Sequence, residues 1–337
     1  MLSKDTISIH LVREALLQSC ATPAAMREVL HKAGIDPALA DQAEGRVPAH
    51  LYARLWRLLA RRLDDEFFGM DPRKLRSGSL AFMCRSAMAQ PTLAQGLELV
   101  LGFLSLMLER LPATLVRQQS LAEIALHEPQ ETPSRAFTYF TYWMMVHGVA
   151  CWLAGRRIPI LTIELRCAAP DYCEDYAVMF SDNLRFERPR TRMIFAADGL
   201  DAPIKRTEQE LQRFLAQAPA NILVKYRDPQ SLASQIKQNL RCVQAAQWPD
   251  TEGLAQTLCM SASTLRRRLA EEGQTYQGLK DGVRKELAIG WLAEPQLSFA
   301  DIALNLGFAD TSSFYKAFRK WTGSNPGHYR SLILGVN

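Results

Sequence analysis

Between residues 48 and 63, Leu51, Leu55, Leu58 and Leu59 recur at helical spacing while Arg54, Arg57 and Arg61 fall on the opposite side. That pattern predicts an amphipathic helix with one buried face. Upstream, residues 9–33 read as a helix pair broken at Ala21-Thr22-Pro23, where Thr22 caps and Pro23 takes the first helical position. The run Gly34-Ile35-Asp36-Pro37 ends that pair. Two more helices are predicted over residues 78–88 and 93–110, separated by Gln90-Pro91-Thr92 with Thr92 as the N-cap.

The pattern then changes. Residues 114–119, 121–127, 161–167, 184–187 and 191–195 alternate apolar and polar positions, as half-buried strands do. A long helix is predicted over residues 134–153, rich in aromatic side chains, and a charged one over 205–217. Two proline-bearing segments follow, Ala218-Pro219-Ala220 and Tyr226-Arg227-Asp228-Pro229, and Pro229 marks the expected domain junction. The expected organisation is an α+β domain over 1–218, a linker over 219–230 and an all-α domain over 231–337. The first domain would hold a helical half followed by a small antiparallel sheet with a crossing helix.

Within the last segment two stretches share one design: a short helix, a tight turn, and a second helix with basic and small polar residues outward, which is the helix-turn-helix plan. In the first, residues 251–258 form the scaffold helix, Cys259-Met260 the turn, and Ser261 caps a helix over 263–272. Packing Leu254, Ala255, Leu258, Leu265 and Leu269 together leaves Ala262, Ser263, Arg266 and Arg267 outward, where arginine can bond both acceptors of a guanine in the major groove. In the second, Ser298 caps residues 299–306, Gly307-Phe308-Ala309 turns, and the helix over 311–321 directs Thr311, Ser312, Tyr315 and Lys316 outward. Phe308, Phe314 and Phe318 are its predicted core, and Gly307 suits a helix end that needs positive φ. A connecting helix over 276–292 would be about 25 Å long at about 1.5 Å per residue. A strut of that length can carry two recognition helices into adjacent major grooves, about 34 Å apart.

Composition adds limits. The 337 residues suit two domains better than one, and 48% hydrophobic with 22% charged residues is the balance of a folded chain. A net charge of +5 is compatible with nucleic acid without requiring it. The seven cysteines are scattered, without a CxxC pair, and read as reduced thiols; the six histidines show no metal-ligand spacing. Cys84 and Cys151 lack a basic neighbourhood in the sequence and are expected to be buried and inert. The first ten residues lack the basic-then-apolar build of an export signal. The apolar stretches 97–108 and 138–153 fall short of the roughly 20 residues that span a bilayer. A cytoplasmic protein with no membrane contact, no cofactor and no metal is therefore expected.

Residues 298–310 (Ser-Phe-Ala-Asp-Ile-Ala-Leu-Asn-Leu-Gly-Phe-Ala-Asp), residues 313–323, and then Pro326, Tyr329 and Arg330 strongly resemble the signature of the AraC/XylS family of bacterial transcription regulators, over about a third of the chain. The resemblance implies a seven-helix DNA-binding domain with two recognition helices. It places base-reading roles on Ser263, Arg266 and Arg267, and on Thr311, Ser312, Tyr315 and Lys316. Tyr315 stands where many relatives have a small polar residue, and Ala262 and Ser263 reach only a short way, so no operator sequence follows. The N-terminal half, through Gly34, Pro48, Phe68-Gly69-Met70, residues 181–186 and Met193-Ile194-Phe195, looks like the effector domain of the subgroup containing ornithine-utilisation and quorum-sensing virulence regulators, and unlike a cupin barrel. That resemblance implies a small-metabolite effector, a homodimer, double-stranded operator DNA and RNA polymerase as partners, and activation as the outcome.

Bland readings stand beside these. Arg266, Arg267 and Arg268 alone would be a solvated helix face; their place on a recognition helix argues otherwise. The aromatic run from Phe137 to Trp152 fits a core as well as a pocket. On the pocket reading Tyr139, Tyr142, Trp143 and Arg85 are the candidate effector contacts. An enzyme fused to a DNA-binding module is disfavoured, since the sequence holds no phosphate-cradling glycine loop, nucleophile elbow, metal cluster or Pro-Cys-His-Arg run. A domain that only dimerises and binds no ligand is the other alternative.

Overall fold

The computed structural model describes residues 6–42, 44–118, 121–180, 183–223, 232–271, 274–322 and 324–334. The chain divides into two compact units, Met1–Tyr226 and Arg227–Asn337. The first opens with β1 (Thr6–Ser8), then α1 (Ile9–Ser19) and α2 (Pro23–Ala33), before β2 (Arg46–Pro48) returns to pair antiparallel with β1, Ile7 opposite Val47. The break between the helices is the one the sequence indicates: the Thr22 side chain accepts from the Ala25 N–H, Pro23 sits in the first turn, and Gly34 closes α2 at φ +79°. The β1–β2 ribbon was not expected from the pattern.

Helix α3 (Ala49–Leu63) buries Tyr52, Leu55, Trp56 and Leu59 and leaves Arg54, Arg57 and Arg61 exposed, as its periodicity predicts. α4 (Ser79–Met88) and α5 (Leu93–Met107) follow, the latter capped by Thr92. Next come β3 (Ala113–Gln118), β4 (Leu121–Leu126), α6 (Ala136–Ala154), β5 (Ile160–Glu164), α7 (Cys173–Met179), β6 (Leu184–Arg185) and β7 (Arg192–Ala196). The five strands form one open sheet in the order β3-β4-β7-β5-β6.

The sheet is antiparallel except at one edge, where β6 lies parallel to β5 with Ile163 opposite Leu184. Parallel neighbours need a crossover, and α7, which the strand pattern did not reveal, lies within it. Helix α6 is buried along nearly its whole length, as a helix apolar on every face must be.

The first unit ends with α8 (Glu208–Gln217) and α9 (Ala220–Leu223). A capping box between Thr207 and Glu210 starts α8, and Phe214 stacks on Trp152 at 4.9 Å. Residues 220–223, expected in the linker, instead form α9 against α3 and α6. Gly148 permits that approach: a Cβ there would sit 2.5 Å from Ile222. The expected junction at Pro229 lies outside the described residues.

The second unit consists of α10 (Leu232–Arg241), α11 (Thr251–Thr257), α12 (Ala262–Glu271), α13 (Tyr276–Leu292), α14 (Phe299–Asn305), α15 (Thr311–Thr322) and α16 (Pro326–Leu334), seven α-helices among the described residues. Ile236, Leu240, Leu254, Leu265, Leu269, Leu279 and Val283 form one continuous core linking α10, α11, α12 and α13.

Candidate DNA-binding interface

The first helix-turn-helix is built by local capping. Asp250 accepts from the Gly253 N–H at 2.8 Å and starts α11, whose Leu254 and Ala255 are buried. The turn passes through Cys259 at φ +53°, and the Met260 N–H returns to the Ala255 carbonyl at 3.0 Å. Ser261 Oγ accepts from the Thr264 N–H at 3.1 Å and starts α12. Leu265 and Leu269 turn inward, so Ser263, Arg266, Arg267 and Arg268 are exposed together. An Arg266 Nη2 donates to Glu252 Oε1 at 3.1 Å, with both side chains more than half exposed. A pair that open to water is worth little, so Arg266 can exchange this partner for acceptors on DNA.

The second motif uses the same devices with tighter packing. Ser298 and Asp301 form a capping box at α14, and Ile302, Ala303 and Leu306 are buried. Gly307 turns the chain at φ +75°, and its neighbours explain the residue: a Cβ there would stand 3.1 Å from the Ala246 nitrogen and 3.2 Å from the Ala245 carbonyl carbon. Asp310 then caps α15, accepting from the Ser313 N–H at 2.7 Å. That bond, with the Ser313 hydroxyl, holds the Asp310 carboxyl below its ordinary range. Phe314 and Phe318 are fully buried, and Ser312 and Lys316 are exposed, as are Arg319 and Lys320 one turn on. Thr311 and Tyr315 are half-buried; the Tyr315 ring stands edge-on to Phe299 at 5.7 Å and to Phe314 at 5.9 Å.

α13 ties the two motifs together, and the residues that do so were not singled out by the sequence. Arg284 donates Nε to the Leu306 carbonyl at 3.1 Å, at the end of α14, and lies over Trp248 at 5.0 Å and Phe308 at 5.6 Å. Lys285 donates to the Trp321 carbonyl at 3.1 Å near the end of α15. Both satisfy helix-end carbonyls that would otherwise lack partners. Within the family-like tail, Arg330 donates to the Leu297 carbonyl at 2.7 Å and lies 4.3 Å over Phe299, while Tyr329 is buried edge-on to Phe318 at 5.1 Å. These basic groups belong to the scaffold; Arg266, Arg267, Lys316, Arg319 and Lys320 belong to the surface.

In the first unit the four effector-contact candidates do not converge. Arg85 is exposed and donates to Glu208 at 2.6 Å. The Tyr139 hydroxyl donates to Glu128 and accepts from the Ser134 N–H at 2.9 Å, and Thr191 Oγ1 donates to the other Glu128 oxygen at 2.8 Å. Tyr142 and Trp143 are wholly buried against each other. A cavity of about 20 Å³ does lie among the aromatics, but the stripe of α6 that reaches it is Phe137, Phe140, Thr141 and Met144. Those positions recur at i, i+3, i+4 and i+7, whereas Tyr139, Tyr142 and Trp143 lie on other faces. Tyr52 and Trp56 of α3 and Tyr176 and Met179 of α7 line the other side. The helical spacing of Tyr172, Tyr176, Met179 and Phe180 was the available signal for α7.

Comparison with known proteins agrees with this architecture. The N-terminal arabinose-binding domain of AraC transcription regulators matches residues 24–204, and a helix-turn-helix domain matches residues 254–331. The ornithine utilization regulator of Pseudomonas aeruginosa is 32% identical over 185 residues, 55% of this chain and 54% of that protein. The HTH-type transcriptional regulator VqsM of the same species is 41% identical over 85 residues, 25% of this chain and 26% of that protein. The match thus spans about half the length of the first relative and a quarter of the second. The crystal structure of the transcriptional regulator CdpR, also from Pseudomonas aeruginosa, aligns over 96% of this chain and 97% of its own with 21% identity and a TM-score of 0.30. The class is a helix-turn-helix DNA-binding transcription regulator. The chain belongs to the AraC family, with an N-terminal domain of the arabinose-binding type. Among the described residues, no helix is long and apolar enough to cross a membrane.

Proposed function

We propose that the chain is a cytoplasmic, effector-controlled activator of transcription whose second unit reads an operator through two unequal helices. In this reading Ser263, Arg266 and Arg267 enter one major groove, and Thr311, Ser312, Tyr315 and Lys316 enter the next. The first unit senses a small metabolite and pairs with a second copy, and the DNA-bound protein engages RNA polymerase. The observation that carries the reading is the separation of roles among the basic residues: Arg284, Lys285 and Arg330 donate to the helix-end carbonyls of Leu306, Trp321 and Leu292, while Arg266 and Lys316 stand exposed on the outward faces of α12 and α15.

A gel shift with the DNA upstream of the protein's own gene tests it. Arg266→Ala and Lys316→Ala should each remove about 1–3 kcal/mol of base discrimination, about 5- to 150-fold in the ratio of specific to non-specific affinity. Unchanged specificity in the double variant would remove these helices from the readout.

A second reading is that the first unit only dimerises. Two exposed apolar residues on neighbouring helices favour it, Phe82 at 61% and Leu106 at 76% accessibility. Thermal shift across a metabolite panel separates the two, since a specific ligand stabilises the fold by mass action and a bare dimerisation module responds to none.

A further inference from the structure

The cavity between α3, α6 and α7 has a one-sided chemistry. Its walls are aromatic rings and thioethers: Trp56, Phe140 and Tyr176 with Met144 and Met179. Phe140 and Tyr176 lie parallel, 3.4 Å between centroids and 8° apart, so α7 closes the space with a ring laid on a ring. The hydroxyl groups in its lining are those of Tyr52, Thr141 and Tyr176. Burial pushes the Tyr52 and Tyr176 phenols upward.

We propose that this cavity is the effector site and that it takes a small uncharged molecule with an aromatic body and one hydrogen-bond donor; this rests on the sensing role proposed above. The donor would meet the phenol oxygens of Tyr52 and Tyr176, and the aromatic body would lie among the rings. A zwitterionic amino acid does not fit this chemistry. Neither its carboxylate nor its ammonium would find a charged partner among the lining residues, and an ion buried without a partner is costly.

The space as it stands, about 20 Å³, holds about one water, whereas ligand sites usually need about 300 Å³ or more. Entry therefore requires the walls to move. Met144 and Met179 are the residue type that repacks most readily. α7 is seven residues long, and besides the Phe140–Tyr176 stack its ties include the Arg46–Asp175 ion pair at 3.0 Å, Tyr172 stacked on His10 at 5.0 Å and Arg157 donating to the Phe180 carbonyl at 3.0 Å.

The test uses the full chain with indole as the uncharged aromatic donor and L-lysine as the zwitterion, read by thermal unfolding and by titration calorimetry. Indole is expected to raise Tm by about 4 °C at ten times its Kd, and L-lysine to leave it unchanged. Met144→Ala, which enlarges the cavity, is expected to tighten indole about tenfold. Leu11→Phe, which fills it, is expected to abolish the shift. Should Leu11→Phe fail to fold, Met144→Ala alone decides the location. A shift with L-lysine and none with indole overturns the ligand class while leaving the sensing role intact. An equal indole shift in all the proteins overturns the location. No indole shift at all overturns the proposal, and the sensing role is then judged separately by the metabolite panel.

Discussion

Two arginines of the second unit show how burial separates scaffold from surface. Arg284 lies between two aromatic rings with its charge on a helix-end carbonyl, and burial lowers its pKa. Arg266 is exposed, with a solvated carboxylate as its partner among the described residues. Nothing in residue type or local spacing distinguishes them; the difference lies in tertiary contacts. The same holds for His147, which is half-buried with Nε2 at 2.8 Å from the Ile158 carbonyl. Burial, with Arg157 nearby, brings its pKa down to about 4. A histidine depressed in the folded state stabilises the fold above its unfolded pKa and loses that contribution as pH falls from about 6.5 toward about 4. The expected loss at pH 5 from this residue alone is about 2 kcal/mol. Comparing the pH dependence of unfolding between the native chain and His147→Gln checks it: the variant should show a flatter curve between pH 7 and 5. Parallel curves would mean that His147 stays accessible to protons.

Elements with local signals were legible in the sequence. Thr22-Pro23, Thr92, Ser298 and the 276–292 helix carry their caps or periodicity within a few residues, and the structure places elements there. What failed to show was non-local. β1 and β2 pair across some forty residues, β7 inserts between β4 and β5, and β6 pairs parallel to β5. Helix α6 hid its pocket face because every face is apolar, leaving no polar side from which to infer the stripe of Phe137, Phe140, Thr141 and Met144. Two glycines of the second unit make opposite predictions. Gly307→Ala puts a side chain at φ +75° against the Ala245–Ala246 backbone and should destabilise by more than about 1 kcal/mol. Gly290→Ala, in open space within α13, should stabilise by about 0.5–1 kcal/mol. Calorimetry of the two variants reads both, and a neutral Gly307→Ala would contradict the turn geometry.

At the scale of the molecule, the paired motifs, the second unit's scaffold and the AraC-family match agree on a DNA-binding regulator. Among the described residues, Phe82 and Leu106 are the two most exposed large apolar residues of the first unit, and the homodimer proposed above is tested there. Phe82→Asp with Leu106→Asp should convert a dimer to a monomer in sedimentation without unfolding the chain, and a variant that stays dimeric places the contact elsewhere. The most direct test of the central claim is selection of binding sites from random duplex DNA by the full chain. Two conserved half-sites are predicted, about 10 base pairs apart centre to centre, with Arg266→Ala relaxing one half and Lys316→Ala the other. A single ungapped site, or variants that weaken all sequences equally, would contradict the assignment of α12 and α15 as two recognition helices.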